Sequence, residues 1–102
     1  MIVIRNVFQA KVGQADQLAK VMTESMQRPS GMSSQPSAWR VLTDISGSFD
    51  TVVLEVEAES LGAWEAAWPE MAASPEFREN WGRASQLIVS GRRDLYTVEA
   101  HG

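Results

Sequence analysis

The sequence has no cysteine and one histidine, His101, next to its last residue. Disulfides, iron–sulfur clusters and thiolate zinc sites are thereby excluded, and a nitrogen- or sulfur-ligated transition metal finds too few ligands in one chain. No metal and no cofactor is expected from these residues. Basic residues are scarce as well: nine Lys and Arg stand against thirteen Asp and Glu, a formal net charge of −4. Nucleic-acid binding relies on cations that displace counterions from phosphates, so no nucleic-acid partner is expected. No apolar run approaches the ~20 residues of a membrane span, and the N-terminus lacks a basic region followed by an apolar stretch. No glycine-rich phosphate loop occurs, and a lone terminal histidine is badly placed to activate a serine. What remains is read as one acidic domain over 1–102, expected to be cytoplasmic and without a membrane. Its core is modest, because a chain this short buries only about 60–70 % of its unfolded surface.

Residues 2–10 (IVIRNVFQA) are rich in β-branched residues. Apolar side chains on both parities predict a central strand covered on both faces. After Gly13 the period changes. Ala15, Leu18, Ala19, Met22 and Met26 recur at helical spacing across 14–28, opposite Asp16, Lys20 and Glu24. Residues 28–37 (RPSGMSSQPS) have loop composition and no period, in a connection long enough to cover something. Strands are predicted at about 38–46 and 50–58, joined by a turn at Gly47-Ser48. Ser60 is a helix cap, and Leu61, Trp64, Trp68 and Met71 form the stripe of the helix after it. Pro69 is expected to kink or end that helix within a turn. Ser74-Pro75-Glu76 reads as a fresh helix start, with Phe77, Trp81, Ala84 and Ile88 continuing at helical spacing. Gly91 is read as the break and 94–99 as a short last strand.

The order β-α-β-β-α-α-β predicts an α+β, ferredoxin-like domain: a four-stranded antiparallel sheet with helices on one face. Right-handed crossovers put the first and third strands in its centre. If Ile4 and Phe8 point to the helices, Val3 and Val7 point the other way and need a cover. A second copy of the chain would supply it, which predicts a homodimer packed sheet against sheet.

The opening IVIRNVFQAKVGQADQL, the hairpin WRVLTDISGSFDTVVLEVE and the closing SPEFRENW and LIVSGRRDLYTVE segments resemble the dimeric α/β-barrel superfamily. The likeness is strongest to its short NIPSNAP-like and antibiotic-biosynthesis-monooxygenase-like proteins. It covers nearly the whole chain and implies the homodimer. That superfamily includes cofactor-free quinol monooxygenases, haem-degrading monooxygenases and small isomerases, and fold does not choose among them. In the haem-degrading members an asparagine on the first strand, a tryptophan and a haem-ligating histidine form the site. Asn6 matches the first and Trp64 or Trp68 the second, but 74–84 (SPEFRENWGRA) holds no histidine. In the quinol monooxygenases an asparagine stands four residues before a tryptophan; here Ser60 stands four before Trp64.

Asn6 shares a parity with Ile2, Ile4 and Phe8, which places an amide among apolar groups. It either bonds to backbone or water, or aims at the oxygen of a ligand. Trp64, Trp68 and Trp81 are read as core packing or as the wall of an apolar pocket. Arg40 or Arg83 would suit a ligand carboxylate. Tyr96, the only tyrosine, is the one phenolic proton donor. Arg92-Arg93 reads as a solvated turn, and Glu55, Glu57 and Glu59 as a charged strand face. The residues predicted to bind a small apolar ligand are therefore Asn6, Phe8, Trp64, Trp68, Trp81, Arg83 and Tyr96. Two functions follow from different classes. One is a small-molecule-binding protein, extending to cofactor-independent oxygenation of an apolar aromatic substrate. The other is a non-catalytic homodimeric binding or interaction module with a filled core.

Overall fold

The computed structural model describes residues 1–27, 38–47 and 49–102. The expected loop at 28–37 and the serine of the Gly47-Ser48 turn lie outside the described residues. The elements run β1 (Ile2–Ala10), α1 (Ala15–Gln27), β2 (Trp39–Thr43), β3 (Thr51–Ala58), α2 (Leu61–Ala73), α3 (Pro75–Ser85) and β4 (Ile88–Thr97). The strands pair antiparallel in the order β2-β3-β1-β4, with β1 and β3 central as the crossovers require. This is the α+β, ferredoxin-like arrangement.

Register decides which side chains share a face. Asn6 lies opposite Leu54 of β3 and Arg93 of β4, while Arg5 lies opposite Glu55 and Asp94. The even-numbered residues of β1 face the helices: Ile4 is 1 % exposed, while Val3 and Val7 on the other face are half-buried. The packed core is local. Leu18, Val21 and Met22 of α1 close on Ala10, Val52 and Ala84, so α1 and α3 cover only part of the sheet. Asp50 fixes the start of α1 from the far hairpin. Its carboxylate accepts from the backbone N–H of Gly13 at 3.1 Å and Ala15 at 3.4 Å. Asp50 takes φ +60° to do so, a region that aspartate tolerates better than most residues.

Two expectations require correction. First, the last strand is Ile88–Thr97, longer than 94–99, and α3 stops at Ser85. Ile88 therefore opens a strand although its spacing matches a helix. Gly91 does not break that strand; it pairs with Phe8, whose ring occupies the space a Cβ would take. Second, Arg92 and Arg93 stand within β4 on opposite faces and are no turn. By contrast, α2 ends at Ala73, about one turn after Pro69, and Ser74 caps the new helix, as expected. Pro69 is exposed, so the carbonyl it leaves unbonded four residues back lies on a helix that water reaches.

Candidate functional site

A wide apolar cavity lies between the helix-facing side of the sheet and α2, and its origin is in α2 itself. That helix is rich in alanine and tryptophan, and none of its residues is buried. Trp64 and Trp68 do not enter the sheet. They lie against each other, with centroids 6.1 Å apart, and Trp68 meets Phe77 edge-on at 5.7 Å. The space left beneath measures about 1130 Å³ and is walled by Ile4, Phe8 and Leu54 of the sheet, Met22 and Met26 of α1, and Trp64, Trp68, Met71, Phe77 and Trp81 of the last two helices. Small-molecule sites run to roughly 300–1,000 Å³, so the volume accommodates more than one ring. Among the described residues, the core beneath α2 is thus not filled.

Two amides of this wall, Asn6 and Asn80, are oriented by arginines. Arg93 Nε donates to Asn6 Oδ1 at 2.7 Å. The Arg93 guanidinium also lies over Trp64 at 5.0 Å and Trp68 at 5.4 Å from the ring centroids. Arginine has no acceptor, so it fixes the amide orientation: Oδ1 faces Arg93 and Nδ2 is left to donate. Asn80 of α3, 2 % exposed, repeats the device, its Oδ1 accepting from Arg83 Nη2. Among the described residues neither Nδ2 has a hydrogen-bond partner, and no fully enclosed side-chain nitrogen or oxygen is unpaired. Both Nδ2 groups therefore open onto the cavity that Asn6 and Asn80 line.

Of the residues predicted to bind a ligand, Asn6, Phe8, Trp64, Trp68 and Trp81 come together in this wall. Phe8 and Trp81 lie 6.2 Å apart, ring to ring. Two do not join them. Arg83 is held by Glu24 at 3.0 Å and by Asn80, and it does not line the cavity. Tyr96 is on the opposite face of the sheet, where the Arg5 guanidinium lies 5.3 Å from its ring centroid. Among the wall residues missed are two that set its polar chemistry, Arg93 and Asn80. The signal for Arg93 was available: with β4 extended back to Ile88, parity puts it beside Asn6. Asn80 falls between Phe77 and Ala84 on the same helix face, where a polar residue among apolar ones is the cue.

The other sheet face carries a separate charge cluster. Glu55, 7 % exposed, accepts from Arg5 Nε and Arg40 Nε, both at 2.7 Å. Burial pushes its carboxyl up, but the hydrogen bonds and charges of Arg40 and Arg5 outweigh that, so the pKa is lowered. Arg40 is thereby committed to Glu55, away from the cavity, and Glu55 is a buried ion-pair centre where an exposed charged face was expected. Among the described residues no cluster of acidic or histidine side chains is arranged to hold a metal ion.

No family model matches the sequence, and no curated protein matches it. Solved structures do. An uncharacterized NIPSNAP domain protein from Burkholderia xenovorans superposes with a TM-score of 0.81 at 18 % identity, covering 98 % of this chain and 96 % of that one. A NIPSNAP family protein from Agrobacterium tumefaciens gives 0.77 at 17 % identity, over 94 % and 90 % of the two chains. A protein from Chloroflexus aurantiacus, provisionally assigned as an antibiotic biosynthesis monooxygenase, gives 0.74 at 17 % identity, over 99 % and 96 %. The chain shares the fold of these NIPSNAP-family and monooxygenase-type proteins over nearly its whole length. At such identities the likeness speaks for the fold alone.

Proposed function

We propose that this chain acts as a homodimeric small-molecule-binding protein, one domain over 1–102, whose cavity under α2 receives an apolar aromatic compound. The observation that carries this reading is the unfilled 1130 Å³ space walled by aromatic and aliphatic side chains, with the Asn6 amide set in it. Rings of Phe8, Trp64, Trp68 and Trp81 offer faces and edges for a flat ligand, and Asn6 Nδ2 offers it a directed hydrogen bond. The homodimer is supported by the half-buried valines of the open sheet face, Val3, Val7 and Val53, beside the exposed Leu42 and Tyr96. A second copy covering that face would leave the cavity on the outer side of each sheet. Native mass spectrometry of the purified protein tests both parts. A dimer that retains a small molecule supports the reading, and Asn6→Ala is expected to lose that molecule while remaining dimeric. A monomer with no retained mass and no affinity for aromatic compounds would refute it.

Cofactor-independent oxygenation is the reaction this site would best serve, and the paired donors Asn6 and Arg93 are what favour it. A quinol-type substrate reacts with dioxygen as its oxyanion, and Asn6 Nδ2 with the Arg93 cation would stabilise that charge in an apolar surround. Oxygen uptake measured with simple quinols, wild type against Asn6→Ala, checks this step. Uptake that does not exceed the uncatalysed rate would leave the protein a binder and remove the catalytic reading.

A further inference from the structure

The cavity is lined by Glu57, Glu59 and Glu76 as well as by Arg78, Arg92 and Arg93, with the amides of Asn6 and Asn80 set among apolar side chains. Asn6 and Asn80 each turn Oδ1 to an arginine and leave the Nδ2 donor on the other side of the amide. Among the described arginines, Arg5, Arg40, Arg83 and Arg92 are each ion-paired to a carboxylate and Arg78 donates to the Ala72 carbonyl, whereas Arg93 donates to a neutral amide and lies on two indole faces. With Nε engaged by Asn6, both Nη groups of Arg93 remain, and these form the fork that matches a carboxylate in two parallel hydrogen bonds. Stacking on Trp64 and Trp68 holds the guanidinium plane, so little freedom is lost when that fork is used. The carboxylates near the cavity do not answer this charge: Glu76 accepts from the Ser74 hydroxyl at 2.9 Å, Glu59 is exposed at the strand end, and Glu57 shares the opposite face of β3 with Glu55. An unmatched cation beside unmatched donors in an apolar wall is the complement of an organic anion.

We infer that the ligand of this cavity is an aromatic carboxylate, its flat body against Phe8, Trp64, Trp68 and Trp81 and its carboxylate on Arg93, with Nδ2 of Asn6 and Asn80 as further donors. This rests on the cavity being a ligand site, and the test separates the two claims. Isothermal titration calorimetry compares 2-naphthoate, its methyl ester and the cationic 2-naphthylmethylammonium. The acid is expected to bind roughly 10- to 100-fold tighter than the ester, the range of one charge-assisted hydrogen bond, and the ammonium weakest. Arg93→Met keeps an unbranched side chain for the indoles and removes the fork. It should bring the acid down to the level of the ester and leave the ester within about threefold. Should that variant not fold, Asn80→Asp, which places an anion in the same wall, is expected to weaken the acid selectively. Equal binding of acid and ester, or tightest binding of the ammonium, overturns the inference and leaves the cavity reading standing. Binding of none of the three overturns both.

Discussion

The tryptophans under α2 are the sharpest place to separate packing from ligand binding, because the two readings predict opposite costs for removing one. Leu18 is wholly buried in the core between α1, α3 and the sheet, and Leu18→Ala should cost about 2–5 kcal/mol. A tryptophan in such a core would cost about 3–5 kcal/mol. Trp68 is 37 % exposed and borders space that is already empty, so its removal opens no new void in a packed region. What is lost is its edge contact with Phe77, its contact with Trp64 and its share of the Arg93 stack. Such pairs contribute roughly 0.5–1.5 kcal/mol each where well formed, and less where water reaches them. Trp68→Ala is therefore expected to cost about 1–1.5 kcal/mol, clearly less than Leu18→Ala. Urea unfolding followed by far-ultraviolet circular dichroism measures both, since fluorescence would be altered by deleting the ring itself. Equal slopes against urea are required for the comparison to be read as stability. If Trp68→Ala proves as damaging as Leu18→Ala, the ring is core, and the space beneath α2 is closed in solution.

Three further outcomes follow from other parts of the molecule. Glu55 has a folded-state pKa below its ordinary value of 4.5, so its contribution to stability is full above that value and is lost as the pH falls below it. Glu55→Gln should flatten the acid limb of stability between neutrality and strongly acid pH, measured by urea midpoints; an unchanged acid limb would mean that Arg5 and Arg40 do not hold the carboxylate. Gly91→Ala sets a Cβ 2.8 Å from Phe8 Cδ1. Overpacking of about 1–3 kcal/mol then outweighs the roughly 0.5–1 kcal/mol gained by removing a strand glycine, and thermal unfolding should shift downward. A rise would show that the ring moves freely into the cavity. Val7→Asp puts a charge on the open sheet face and should dissociate the proposed dimer in light scattering, whereas a dimer that persists would place the interface elsewhere.

The sheet was legible because its signals are local and redundant. β1 carries apolar residues on both parities, and its bounds of 2–10 follow directly from that run. Ser60 and Ser74 mark helix starts by cap chemistry, and each accepts from a backbone N–H three residues on. The C-terminal third misled because one feature answers to two periods. Phe77, Trp81, Ala84 and Ile88 fit a helix, yet Ile88 and Val89 are β-branched residues that suit a strand, and β1 offers them a free edge. Glycine deepened the error. Gly91 looks like a breaker in one dimension, whereas in the sheet it is the residue that lets the Phe8 ring lie across its neighbour. Pro69 was the sounder signal, since α2 ends at Ala73, about one turn beyond it.

The missed arginine follows from the same error, and it shows where sequence reasoning on a site is most fragile. Asn6 was identified as an amide out of place among apolar residues, but what such an amide does depends on the residue across from it. That partner lies 87 positions away and is specified only once the register of β4 is known. A last strand beginning at Asp94 leaves Asn6 facing nothing, and the two natural readings are then a backbone bond or a ligand. A strand beginning at Ile88 puts Arg93 there instead, and the amide changes role: its oxygen is used inside the protein and its nitrogen faces the cavity. An acceptor site becomes a donor site without any change in the residue. The charge expected of the ligand therefore turns on six residues of strand, which is why the acid-against-ester comparison tests the register of β4 as well as the wall it builds.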